Sequence, residues 1–169
     1  MPNLTRGTYP AFIDGYLRFV DTNTVSEALK KYPPVISEFF GNIPHDKVSF
    51  RYADGKWNIK EMLQHIIDAE RIFAYRALRI ARHDKTPLAG FEEKSYAAAA
   101  NADERTWEDL LREFLSVRES TDLLIQSFTK DQLQQTGTTN DEPNNVEALS
   151  FLVYGHILHH MNVISERYL

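Results

Sequence analysis

Cysteine is missing from this chain of 169 residues. Its absence excludes disulfides, zinc–thiolate sites and any cysteine nucleophile in the protein itself. Positive charge is not in excess, since 19 Lys and Arg stand against 24 Asp and Glu for a net charge of −5. That balance favours solubility and offers nucleic acid or an anionic membrane no general attraction, so neither is expected as a partner. No apolar run approaches the roughly 18 residues of a membrane span. The segment from Met1 to Pro10 lacks the basic stretch and apolar run of a secretory signal, and a cytoplasmic protein is expected. A glycine-rich phosphate loop, a Ser-His-Asp signature and a basic, aromatic surface for stacking on bases are also missing. No internal repeat, low-complexity tract or linker divides the chain, which predicts one domain over residues 1–169.

What is present is the material of a helical protein. The chain is 43% hydrophobic and 25% charged, and at this length about two-thirds of the unfolded surface can be buried. Apolar residues recur at helical spacing in four segments. The first runs from about Thr24 to Phe40, with Leu29, Tyr32, Ile36 and Phe40; Pro33 and Pro34 predict a kink or restart within it. The second runs from about Asn58 to Arg82, the third from about Thr106 to Phe128, and the fourth from about Asn144 to the C-terminus. Each start pairs a capping residue with an acid three positions on: Thr24 with Glu27, Asn58 with Glu61, Thr106 with Asp109, Asn144 with Glu147. No strand alternation is evident, so the fold class is all-α.

The connections add topology. About two dozen residues separate the second and third helices, with a short helical piece around Phe91 to Ala100, and so long a crossover lets those helices lie parallel. The stretch from Thr129 to Pro143 is polar and turn-rich, a predicted surface loop. Before the first helix, Tyr9, Phe12, Tyr16 and Phe19 are too apolar to float free and predict an extra N-terminal helix or arm.

Of six histidines, His45 and His83 sit among charged residues in connections and read as surface positions. The last helix holds the informative ones, in GHILHHMNVISERYL. His156 and His160 are four apart and share a face. That face is the apolar stripe of Val146, Leu149, Val153 and Val163. HxxxH is a weak motif alone. It admits two core histidines satisfied by hydrogen bonds, or two imidazoles on a divalent ion at about 2.0–2.1 Å. A third ligand would come from another helix, and His65, at the edge of the second helix's apolar face, is the candidate. Three neutral imidazoles would leave a coordination position open, as catalytic sites do. Imidazole suits Zn and Ni, with Fe and Cu compatible. His159 points about 100° away from its neighbour and reads as a flank or as a residue supporting the ligands from behind.

Other polar residues carry blander readings. Glu70 falls on the apolar face of the second helix and predicts a buried ion pair with an arginine, in preference to orienting a ligand. Trp57, Tyr75, Tyr96 and Tyr154 admit a pocket-lining role but read by default as core aromatics. The charges of Glu92 to Lys94 and of Asp103 to Arg105 read as solvated faces.

The blocks GKWNIKEMLQHIIDAERIFAYRALRIAR, TPLAGFEEKSYAAAAN and GHILHHMNVISERYL together resemble the DinB-like (DinB/YfiT-like) superfamily of metalloenzymes, in order and spacing, from about Leu29 to Leu169. The resemblance implies a four-helix bundle of up-down-down-up connectivity and a divalent-metal site whose three histidines match His65, His156 and His160. It also implies a homodimer. Some relatives are transferases or isomerases that use a low-molecular-weight thiol such as bacillithiol or mycothiol. By that resemblance a thiol-dependent transferase acting on a small molecule is expected here, with the thiol supplied by a cosubstrate and no catalytic residue assigned. A hydrolase using water at the same metal, and a non-catalytic metal-binding or dimerisation bundle, are the alternatives.

Overall fold

The computed structural model describes Pro2 and residues 4–169. Four long helices form the bundle: α2 (Val25–Gly41), α3 (Ile59–Ala81), α5 (Trp107–Gln126) and α7 (Val146–Arg167). Shorter pieces are a 3-10 turn (Ala11–Ile13) leading into α1 (Asp14–Leu17), then α4 (Glu93–Ala99) and α6 (Lys130–Leu133). In cross-section α3 packs on α7, α7 on α2, α2 on α5 and α5 on α3.

Side-chain pairs give the directions. Asn58 bonds Asp103, Gln64 accepts from Arg105 and Arg71 pairs with Glu113, so α3 and α5 advance together. Trp57 meets Tyr168 and His65 meets His156, so α7 returns against α3. A groove between the start of α2 (Ser26, Leu29) and the end of α5 (Asp122, Gln126) makes those two antiparallel. The connectivity is up-down-down-up, and the crossover over residues 82–106 is what allows the parallel pair. Arg105 belongs to this packing rather than to a solvated face: it donates to Gln64, Glu113 and Asp109.

Local chemistry explains the helix starts. Thr24 with Glu27 and Asn58 with Glu61 form reciprocal capping boxes, and Thr106 accepts from the Asp109 N–H. The last helix starts one residue later than its sequence signal suggests. Asn145 is the cap, accepting from the Ala148 N–H at 2.7 Å, while Asn144 donates to Thr139 Oγ1 at 3.0 Å. Pro33 and Pro34 sit inside α2 without a restart. They remove the N–H bonds to Leu29 and Lys30, which lie half-buried and exposed on the helix surface.

The predicted loop is more structured than its composition suggests. Thr129 and Gln132 form a capping box that starts α6. Strands β1 (Thr136–Thr139) and β2 (Glu142–Asn145) then form an antiparallel hairpin. Its two-residue turn, Asn140 (φ 52°) and Asp141 (φ 62°), has the left-handed pair a tight hairpin turn requires. The crossover joins it, since Leu88 N–H donates to Thr138 O and Asn140 N–H donates to Leu88 O.

Helix α7 is buried on every side from Ala148 to Ile157. The N-terminal arm covers the side the other long helices leave open, as the apolar residues there predict. Gly155 makes this possible, because a Cβ there would lie 2.8 Å from the Tyr16 carbonyl oxygen. None of the described helices is long and apolar enough to cross a membrane.

Gly155→Ala tests this packing with opposed signs. Helix propensity alone would stabilise by about 1 kcal/mol, whereas overpacking against Tyr16 costs about 1–3 kcal/mol. The expected result is a lower Tm by calorimetry; a higher one would show that the arm does not seat on α7.

Candidate metal centre

Burial decides the chemistry of the histidines. His65 projects from the second turn of α3, and His156 and His160 from successive turns of α7, where the two helices pack. His65 and His156 are 5% and 4% exposed, and His160 is half-buried. The three rings converge by their Nε2 atoms. That of His156 lies 3.1 Å from Nε2 of His65 and 3.1 Å from Nε2 of His160.

A ring nitrogen has one in-plane site, so it donates or accepts one hydrogen bond. His156 Nε2 cannot satisfy both neighbours that way. A cation where the three lone pairs meet satisfies all of them at once. Two nitrogens bound at about 2.0–2.1 Å to one ion stand roughly 2.8–3.4 Å apart for right-angled to tetrahedral geometry, and the observed spacing falls in that interval. The donor set fits a divalent ion.

Electrostatics agrees. Burial pushes the His65 pKa down to about 4. Burial, and then the neighbouring imidazoles, push His156 and His160 well below the ordinary histidine value. All three are therefore neutral at pH 7, the form that ligates metal. Aromatic packing holds the rings: Trp57 lies 5.0 Å from His65 between centroids, and Tyr16 and Phe73 lie 5.4 and 5.5 Å from His156. His160 Nδ1 is buried with no hydrogen-bond partner among the described residues, so packing sets its orientation.

Two clefts reach the cluster. One of about 300 Å³ opens on His65 and His156 between the arm, α3 and the crossover. The other, of about 440 Å³, opens on His159 and His160 beside Trp57 and Tyr168.

The remaining candidates fall elsewhere. His159 lies edge-on to Tyr16 and tilted against Phe19, with its ring 5.0 Å from that of His160. His45 is exposed, and His83 closes α3 in a left-handed conformation (φ 64°). Glu70 pairs with Arg118 at 2.8 Å, both buried. Arg118 also holds Asp122, which accepts from Tyr154 at 2.7 Å, so Tyr154 belongs to that network. Tyr75 and Tyr96 are exposed, which corrects their reading as core. Tyr16, Phe73 and Arg76 line the first cleft and carried no functional signal in the sequence beyond their helical register.

A model of the DinB superfamily matches residues 28–164. The chain belongs to the DinB superfamily. A relative from Geobacillus thermodenitrificans, named "Putative metal-dependent hydrolase", is 26% identical over 131 residues, covering 76% of this chain and 71% of that protein. Among solved structures, YfiT from Bacillus subtilis, described as a probable metal-dependent hydrolase with an unusual four-helix bundle topology, superposes with a TM-score of 0.71. The match covers 98% of this chain and 91% of YfiT at 15% identity, and it shows that the two share a fold.

The depressed histidines predict how the metal-free protein responds to acid. In the unfolded chain these imidazoles take up protons near pH 6.5, whereas folded His65 resists until about pH 4. Their contribution is complete above pH 6.5 and is lost as pH falls through that window. Thermal melts of the metal-free protein should show this decline, with a smaller one for His65→Asn. Identical profiles would show that His65 is not buried in its neutral form.

Proposed function

We propose that this chain is a divalent-metal-dependent enzyme acting on a small molecule, with His65, His156 and His160 as the metal ligands. The observation that carries the reading is the convergence of three neutral imidazole nitrogens on one point. An ion bound there supplies Lewis acidity, lowering the pKa of a thiol or water that reaches it. The chain's own residues do the rest. The imidazoles donate lone pairs without first losing a proton, and Trp57, Tyr16 and Phe73 keep them aimed. Access from two clefts supports catalysis over a closed structural site.

With no cysteine in the chain, a sulfur nucleophile must come from a cosubstrate, and we read the reaction as transfer of a low-molecular-weight thiol to an electrophilic substrate. The arm and the crossover wall the first cleft and would hold that electrophile beside the histidines. Hydrolysis is the second reading. It keeps the same ligands with water as nucleophile, and it is the activity named for the Geobacillus and Bacillus relatives.

The test is metal analysis combined with turnover. Purified protein loaded with Zn or Ni should hold one ion per chain, and each of His65→Ala, His156→Ala and His160→Ala should lose it while keeping its helical circular dichroism. Loaded protein should conjugate a low-molecular-weight thiol to chlorodinitrobenzene. Cleavage of nitrophenyl esters without thiol would make it a hydrolase instead. Full metal content in any of the three variants would remove that residue from the site.

A further inference from the structure

The first cleft runs along one face of α3. Along α3 its lining runs from His65 through Ala69 and Phe73 to Arg76. His65 and Arg76 are eleven positions apart, about 16 Å along the axis at 1.5 Å per residue. Phe12, Phe73 and Leu152 give the walls an apolar character.

Of two buried cations bonded to a backbone carbonyl and to no carboxylate among the described residues, Lys60 and Arg76, Arg76 is the one that lines this cleft. It is 7% exposed, yet its one hydrogen bond to the described residues is from Nη2 to the Ala89 carbonyl at 2.8 Å. Among the described residues no carboxylate lies within ion-pair distance of it. Arg118, equally buried, is matched by Glu70 and Asp122. Burying a guanidinium without an anion is costly, and burial pushes the Arg76 pKa below the ordinary arginine value. The Ala89 contact engages Nη2, and Nε and Nη1 have no hydrogen-bond partner among the described residues. The exposed Glu92, Glu93 and Glu142 line the same cleft and disfavour a doubly charged group.

We propose that Arg76 is the anchor for a single carboxylate on an elongated, partly apolar ligand whose other end lies at His65 and His156. A guanidinium fork pairs with a carboxylate in a bidentate manner, and the apolar walls between the two ends would bury the ligand's body. The identity of the distal end rests on the proposed metal site; the binding of the carboxylate does not.

Phenylbutyrate is a suitable probe, with phenylbutanol as its neutral counterpart and phenylbutyl phosphate as the doubly charged one. Calorimetric titration of both chelator-treated and Zn-loaded protein separates this site from the metal, since only the metal-free arm isolates Arg76. Phenylbutyrate should bind the metal-free protein more tightly than either analogue. Arg76→Gln should weaken it at least tenfold and leave phenylbutanol unchanged, whereas Arg76→Lys should lose less. The Arg76 side-chain N–H signal of the unmodified protein should shift with phenylbutyrate and not with phenylbutanol, which decides the matter even if Arg76→Gln fails to fold. Unchanged affinity in a folded Arg76→Gln, or an unmoved Arg76 signal, would overturn the proposal. Tighter binding of the phosphate would overturn the choice of carboxylate.

Discussion

Over most of its first three turns α7 has no side facing water, and the rest of the molecule is arranged to keep it so. Helices α2 and α3 cover two of its flanks and the N-terminal arm covers another. A helix apolar all round must be enclosed, and an enclosed helix cannot turn His156 away from the interior. Since ring nitrogens need partners, the interior must provide them. Here His156 meets His65 across the α3–α7 seam, Nε2 to Nε2, so the packing that stabilises the bundle also brings the imidazoles together.

Much of this was legible in the amino-acid sequence, where a physical rule acts over a few residues. The capping pairs at Thr24, Asn58 and Thr106 announce their helices because a side-chain oxygen must meet an N–H three residues away. The histidine pair was visible on the core stripe for the same short-range reason. His65 was a candidate from its place on an apolar face, but its pairing with His156 spans 91 residues and only the fold brings the two together. The hairpin was hidden because its strands are four residues long and polar, with no alternation to register. Its left-handed turn at Asn140 and Asp141 was the readable clue. Asn144 was mistaken for the helix cap because Asn145 offers the same chemistry, and the hairpin hydrogen bond to Thr139 decides between them.

Arg76 escaped notice for a different reason. Arginines in amphipathic helices usually snorkel, stem on the apolar surface and head in water. The Leu88 to Phe91 segment, tied to the hairpin, lies against this one, and Ala89 accepts from it. The contrast with Arg118 shows two uses of one side chain. Arg118 neutralises acids on its own and the neighbouring helix and ties the core together, whereas Arg76 keeps its charge unmatched in the lining of a cleft.

The parallel placement of α3 and α5 also bears on how the chain folds. A simple up-down-up-down bundle forms mostly from neighbouring segments and therefore folds fast. Here the α3–α5 seam must wait for a crossover over residues 82–106 to span the bundle, and the arm meets α7 only after most of the chain exists. Thr8 and Asn145, joined by a hydrogen bond, are 137 positions apart. Closing loops of that length costs entropy before any contact repays it. The His65–His156 contact, spanning 91 positions, carries the same kind of entropic cost.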